Sequence, residues 1–247
     1  MTKGGSPEMD SQTIIYAREL ARLQTLRRTY ERLLPTRLDP TAPQLPPPEV
    51  RVATVLFTDI RGFSALAERF ADDPAGLLDV VNEHLAVAVR AITRCGGIVE
   101  KFVGDGVMAT FGARGDIGNH RDRALAAGLG VVGANEALNH RRAADWGFRL
   151  EVGVGAAAGK LVVGGIGSAE RSELGVLGDP VNVASRLVTD ARPGEILLAD
   201  SVYHELAESV RADLLSRAPV RGRDGEVEIY RITLLRPHGN RPVLAAG

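Results

Sequence analysis

The chain has 247 residues, enough for one well-cored domain with an extension and too few for several. Its 45% hydrophobic and 25% charged residues are an ordinary globular mix, and a net charge of -1 gives no basic field for nucleic acid. The lone cysteine, Cys95, excludes an internal disulfide and a cysteine-built zinc site, and it suits a reducing cytoplasm. The first ten residues lack the apolar run of a signal peptide, and no stretch approaches the ~20 apolar residues of a membrane span. These features predict a soluble, cytoplasmic chain, or a soluble piece of something larger.

In chain order, residues 1–10 read as disordered and residues 11–34 as a helix. Tyr16, Leu20, Leu23, Arg27, Tyr30 and Leu34 follow the 4-3 spacing of a coiled-coil seam, broken by Arg27. The helix would either pair in parallel with a second copy or dock on its own domain. Six prolines between Pro35 and Val50 predict an extended linker and a domain boundary. Beyond it, residues 52–57 (VATVLF) read as a buried strand. Pro74 to Arg94 reads as a helix with Leu77, Leu78, Val81, Leu85, Ala88, Val89 and Ile92 on one face. Strands at 98–103 and 107–111 flank the turn Gly104-Asp105-Gly106, a hairpin signal. A second long helix follows from Asp122 to Asn139. Leu150 to Ile166, rich in glycine, reads as two strands joined by a turn at Gly159-Lys160. A helix over Pro180 to Asp190 and strands at 195–199 and 227–234 complete the domain, and residues 236–247 read as a flexible tail. The order strand, helix, strand, strand, helix, strand is the βαββαβ pattern of a ferredoxin-like α+β fold, with an antiparallel sheet and helices on its outer face.

Three clusters carry candidate chemistry. In FTDIRGFSALAE (57–68), Asp59 ends an apolar strand before a glycine turn and a helix start. Such a carboxylate either caps the helix or holds a cation whose phosphate partners sit on the turn's N–H groups. In EKFVGDGVMATFG (100–112), Asp105 sits in a tight turn that is either structural or a second carboxylate facing Asp59. Two carboxylates converging at adjacent strand ends need a compensating cation, and magnesium suits one or two carboxylates plus phosphate oxygens. In GVLGDPVNVASRL (175–187), Asn182 and Arg186 are four apart on one helix face. They form either a solvated face or a grip for ribose and phosphate. Asp179 before Pro180 reads equally well as an N-cap.

Taken together and in this order, the clusters resemble the class III adenylyl/guanylyl cyclase catalytic domain, over about residues 50–235. The spacings fit that family: 46 residues from Asp59 to Asp105, four from Lys101 to Asp105, and four from Asn182 to Arg186. The resemblance implies two Mg2+ (or Mn2+) ions on Asp59, Asp105 and the carbonyl of Ile60. It implies a triphosphate held by the turn at Gly62, Phe63 and Ser64. Asn182 would orient the ribose and Arg186 would stabilise charge at the α-phosphate. Lys160 and one of Arg221 or Arg223 fall where the family places cations near the phosphates. Metal and ribose residues come from different subunits in this family, so a head-to-tail homodimer with two shared sites is implied, with a regulatory segment or partner upstream.

One position departs from the pattern. Lys101 stands where adenylyl cyclases read adenine, but Gly175 occupies the place of its usual partner side chain. The expectation is therefore an adenylyl cyclase making cyclic AMP and pyrophosphate from ATP. The alternatives are a guanylyl or mixed-specificity cyclase, or a catalytically weak regulatory module.

Overall fold

The computed structural model describes residues 47–168, 172–219 and 226–235. The expected N-terminal helix, most of the proline-rich linker, the C-terminal tail and both Arg221 and Arg223 lie outside these. Packing divides the chain into residues 48–164 with 175–247, and residues 1–47 with 165–174. In the second unit the described residues include the last residues of one strand and the first of another. The rest of the architecture belongs to the first unit.

The elements are β1 (Glu49–Arg61), α1 (Phe63–Arg69), α2 (Pro74–Arg94), β2 (Ile98–Val103), β3 (Gly106–Phe111), α3 (His120–Trp146) and β4 (Glu151–Gly167). They continue with β5 (Ser172–Leu177), α4 (Asp179–Asp190), β6 (Ile196–Ala199), α5 (Asp200–Leu206), β7 (Val210–Pro219) and β8 (Glu226–Leu235). The strand order is β2-β3-β1-β4-β6-β8-β7, with β5 pairing β4 off this path. The first four strands are antiparallel in the ferredoxin-like order expected from the sequence. The sheet then extends past β4 through a parallel β4–β6 pair, joined by the crossover that carries α4.

Helix α2 begins where Asp73 accepts a bond from Gly76 N–H (2.9 Å) and Pro74 opens the first turn. Helix α3 runs beyond the expected Asn139 to Trp146. Its apolar stripe has faded there, but Arg142 pairs with Glu83 of α2 and Asp145 of α3, and Trp146 stacks on Phe148. Tertiary partners, which local pattern does not show, hold those turns.

Two expectations are corrected. First, 150–166 is not two strands around a turn. β4 pairs with β1 in unbroken register from Glu49↔Val163 to Arg61↔Glu151. Second, the helices do not all lie on one face. Leu56, Val152, Val154 and Ala156 pack with Ala88 and Ile92 of α2 and Ala124, Ala127 and Val131 of α3. The alternate positions of β4 are Gly153, Gly155, Ala157 and Gly159, and α4 lies against them. A Cβ on Gly155 would sit 2.4 Å from Val188 N and 2.6 Å from Ala184 O. The same holds at Gly159, where a Cβ would meet Pro180 at 3.0 Å. The glycines that look like turn signals are instead the floor on which a helix backbone rests.

The sequence pattern missed β5, α5 and β7. β7 is an edge strand with Arg211, Asp213 and Arg217 along it and two bulges against β8, so it lacks the apolar alternation of a half-buried strand.

Candidate active site

β1 and β3 end side by side, and their ends bring the two acids together. Gly106 makes this approach feasible: a Cβ there would lie 2.1 Å from Thr58 O. The hairpin tip thus folds against the end of β1, and the Asp105 carboxylate accepts the N–H of Ile60 at 3.1 Å. Burial, then repulsion from Asp105, push the Asp59 carboxyl up to about 6, and Arg61 opposes the rise. Arg61 is two residues on, hence on the same strand face, and its guanidinium pairs with Asp59. Sequence reasoning missed Arg61, although the period-two spacing was visible.

Asp59 does not cap a helix. Gly62 takes the cap position of α1 in a left-handed conformation (φ 72°), with no side-chain cap, and Phe63 and Ser64 open the helix. Phe63 packs near Ile60 and Leu150, while Ser64 is exposed. The capping alternative for Asp179 also fails, because Gly178 precedes α4 as its cap and Asp179 is its first residue.

The donors gathered here are the two carboxylates of Asp59 and Asp105. Such a hard-oxygen set fits a magnesium- or manganese-like cation that completes its shell with phosphate or water. Among the described residues no group of three or more His, Cys, Asp or Glu forms a cage that could hold a metal by itself.

Lys101 reaches the same face of the sheet. It pairs with Met108, which pairs with Phe57, two residues before Asp59 on β1. A bulge between Val99 and Lys101 re-aims it. The intervening Glu100 turns inward to Thr110 Oγ1 (2.7 Å) and Arg114. Lys101 itself is exposed.

Asn182 and Arg186 are presented differently. α4 buries Val183, Ala184, Leu187 and Val188 on the sheet, so both functional candidates fall on its exposed side. Lys160 lies away from Asp59: it pairs with Val52, seven positions along β4 from the Asp59↔Gly153 pair, roughly 23 Å at strand spacing. Gly175, half-buried on β5, offers no side chain.

The fold of this chain is found in known proteins. Residues 45–234 match the family model described as the adenylate and guanylate cyclase catalytic domain. The chain belongs to this cyclase family. An adenylate cyclase of Anabaena cylindrica is 35% identical over 191 residues, covering 74% of this chain and 37% of that protein. This chain thus spans little more than a third of that relative's length. The crystal structure of the adenylyl cyclase CyaB from P. aeruginosa superposes with a TM-score of 0.72 at 29% identity, covering 77% of this chain and 98% of that one. The guanylyl cyclase Cya2 gives 0.71 at 27% identity, covering 81% and 98%. Cyclases of both purine types therefore share this fold. Among the described residues no helix is long and apolar enough to cross a membrane.

Proposed function

We propose that this cyclase domain is an adenylyl cyclase, converting ATP to 3′,5′-cyclic AMP and pyrophosphate at sites shared by two copies arranged head to tail. The observation that carries the reading is the split of the site. Asp59, Asp105 and Lys101 gather toward the β1–β3 end of the sheet, while Asn182 and Arg186 sit on the exposed side of α4. Two copies related by a two-fold axis would give each carboxylate pair a partner's Asn182 and Arg186.

Two divalent cations, Mg2+ or Mn2+, held by Asp59, Asp105 and the Ile60 carbonyl, would polarise the ribose 3′-hydroxyl and neutralise the triphosphate for in-line displacement at the α-phosphorus. The N–H groups at Gly62, Phe63 and Ser64 would hold phosphate oxygens at the start of α1. The Asn182 amide would fix the ribose. Arg186 would fork onto the α-phosphate, where charge grows in the transition state. Lys101 would donate to N1 of adenine, an atom that carries a hydrogen in guanine. Lys160 and either Arg221 or Arg223 remain our proposals for further phosphate contacts. Residues 11–34 would form a helix that passes an upstream signal to the dimer. A cytoplasmic location fits the substrate.

A second reading, guanylyl or mixed specificity, is favoured by Gly175, which leaves Lys101 without a partner acceptor. A site built to hydrogen-bond a group rejects the wrong one better than a gap does. The test is steady-state product analysis with ATP and GTP, each with Mg2+ or Mn2+, over a range of protein concentrations. Cyclic AMP as main product with specific activity falling on dilution supports the reading. Faster turnover of GTP, or specific activity independent of concentration down to nanomolar protein, overturns the purine or the dimer claim respectively.

A further inference from the structure

Arg61 does more than pair with Asp59. Its guanidinium also donates to the carbonyls of Thr189 (3.1 Å) and Ala191 (3.3 Å), the last turn and exit of α4. The final carbonyls of a helix lack intrahelical partners and carry the negative end of its dipole, so a cation is favoured there. One side chain thus serves as counter-charge to a candidate metal carboxylate and as C-terminal cap of the helix bearing Asn182 and Arg186.

The path of this side chain is built into the sheet. It crosses β4 at Gly153, the residue paired with Asp59. A Cβ at Gly153 would come within 3.3 Å of Arg61 Nε, 3.0 Å of Ala191 Cβ and 3.4 Å of Ala191 O. Arg61 is only 15% exposed against 34% for Asp59, and its Nε is buried without a partner. Holding a guanidinium in that channel costs desolvation, which its contacts with Asp59 and the two carbonyls offset.

We propose that Arg61 is a positioning residue that acts as an internal place-holder cation. It neutralises the Asp59–Asp105 pair when no metal is bound, competes with the metal for Asp59, and ties that carboxylate to α4. In the proposed shared-site dimer, on which this inference rests, α4 serves the other active site. Metal arrival at one site loosens the Arg61–Asp59 pair and leaves the guanidinium on the α4 carbonyls. Occupancy of one site is thereby felt at the helix that completes the other.

The experiment is a Mn2+ titration of the full chain without nucleotide, following free Mn2+ by electron paramagnetic resonance. Wild type, Arg61→Met, Arg61→Lys and Asp59→Asn are compared, alongside metal-free thermal unfolding and Mn2+-dependent kinetics. Removing a competing unit charge in contact with the ligand predicts Mn2+ binding about 10-fold tighter in Arg61→Met. Its metal-free melting temperature falls, and kcat at saturating Mn2+ falls about 3- to 10-fold because α4 loses its anchor. A merely structural role would weaken metal binding and kcat together; the proposal requires them to move in opposite directions. Arg61→Lys keeps one charge but cannot fork onto three acceptors, and it falls between. This variant carries the test if Arg61→Met does not fold. Arg61 variants that bind Mn2+ like wild type or more weakly, while Asp59→Asn loses binding, overturn the place-holder role and leave the metal site standing. If Asp59→Asn binds Mn2+ as wild type does, the metal assignment itself fails and the Arg61 role with it.

Discussion

The end of β1 and the outer side of α4 are built by opposite rules. At the β1–β3 end the chain completes its own geometry. Gly106 lets two backbones touch, Ile60 N–H fixes Asp105, and burial lifts Asp59 to about 6. On α4 the packing residues serve only to hold the helix, and Asn182 and Arg186 face outward. In the proposed function the first region is one half of a site, and the second is the half it offers to a second copy. The contrast teaches that burial and hydrogen bonding identify the first kind, whereas the second shows itself only by which side of a helix the sheet leaves uncovered.

The sharpest way to break this contrast is complementation. Asp59→Ala or Asp105→Ala should reduce turnover by at least about 10³-fold, since a metal-held transition state is worth several kcal/mol. Arg186→Ala should lower kcat by about 10²- to 10³-fold with little change in KM. Mixing Asp59→Ala with Arg186→Ala chains should restore about a quarter of wild-type activity, because half of randomly formed dimers carry one intact site of two. No recovery on mixing, with exchange of subunits verified, would mean that each chain closes its own site.

A smaller effect tests how α4 is seated. Gly155→Ala places a methyl against the backbone of Ala184 and Val188 and should cost about 1–3 kcal/mol of stability. It should also lower kcat, since α4 carries Asn182 and Arg186. Chemical denaturation and kinetics on one preparation check both, and an unchanged midpoint would show that α4 is not packed as described.

The smallest effect is a pH slope from the core beneath the β1–β3 end. His84 is fully buried on α2, with Nδ1 3.0 Å from Asn135 Oδ1, and Asn135 Nδ2 donates to Leu150 O. Burial holds His84 below the ordinary histidine value, although its bond to Asn135 and the charge of Asp105 resist this. The unfolded chain therefore takes up a proton that the folded chain refuses. The contribution of neutral His84 is present above about pH 6.5 and is lost as pH falls below it. His84→Phe should be less stable at pH 7.5 yet lose less stability between pH 7.5 and 5.5 than wild type does, measured by urea midpoints. An equal or steeper loss in the variant would refute the assignment.

Much of this protein is legible before folding. The apolar run 52–57, the helix over Pro74–Arg94 and the glycine-flanked Asp105 each follow from short-range chemistry and form as read, although the helix exposes Leu78 and buries Val80, His84 and Val87, which the expected stripe left out. The spacing of Asn182 and Arg186 correctly put them on one helix face. The glycines of β4 misled, because a glycine that admits a turn and one that admits a neighbouring helix look alike in one dimension. Arg61 was overlooked for a related reason: its acceptors at Thr189 and Ala191 are about 130 residues away in sequence.

By itself, then, the sequence determined most of the element types, the ferredoxin-like order of the first four strands and the identity of the acidic pair, because periodicity, turn chemistry and residue type act locally. Only the tertiary structure decided that α4 crosses to the opposite face from α2 and α3, that Arg61 links Asp59 to that helix, and that Asn182 and Arg186 sit on the exposed side of α4. Those facts depend on which backbones can approach across β4, and that is settled by long-range packing over Gly153, Gly155 and Gly159.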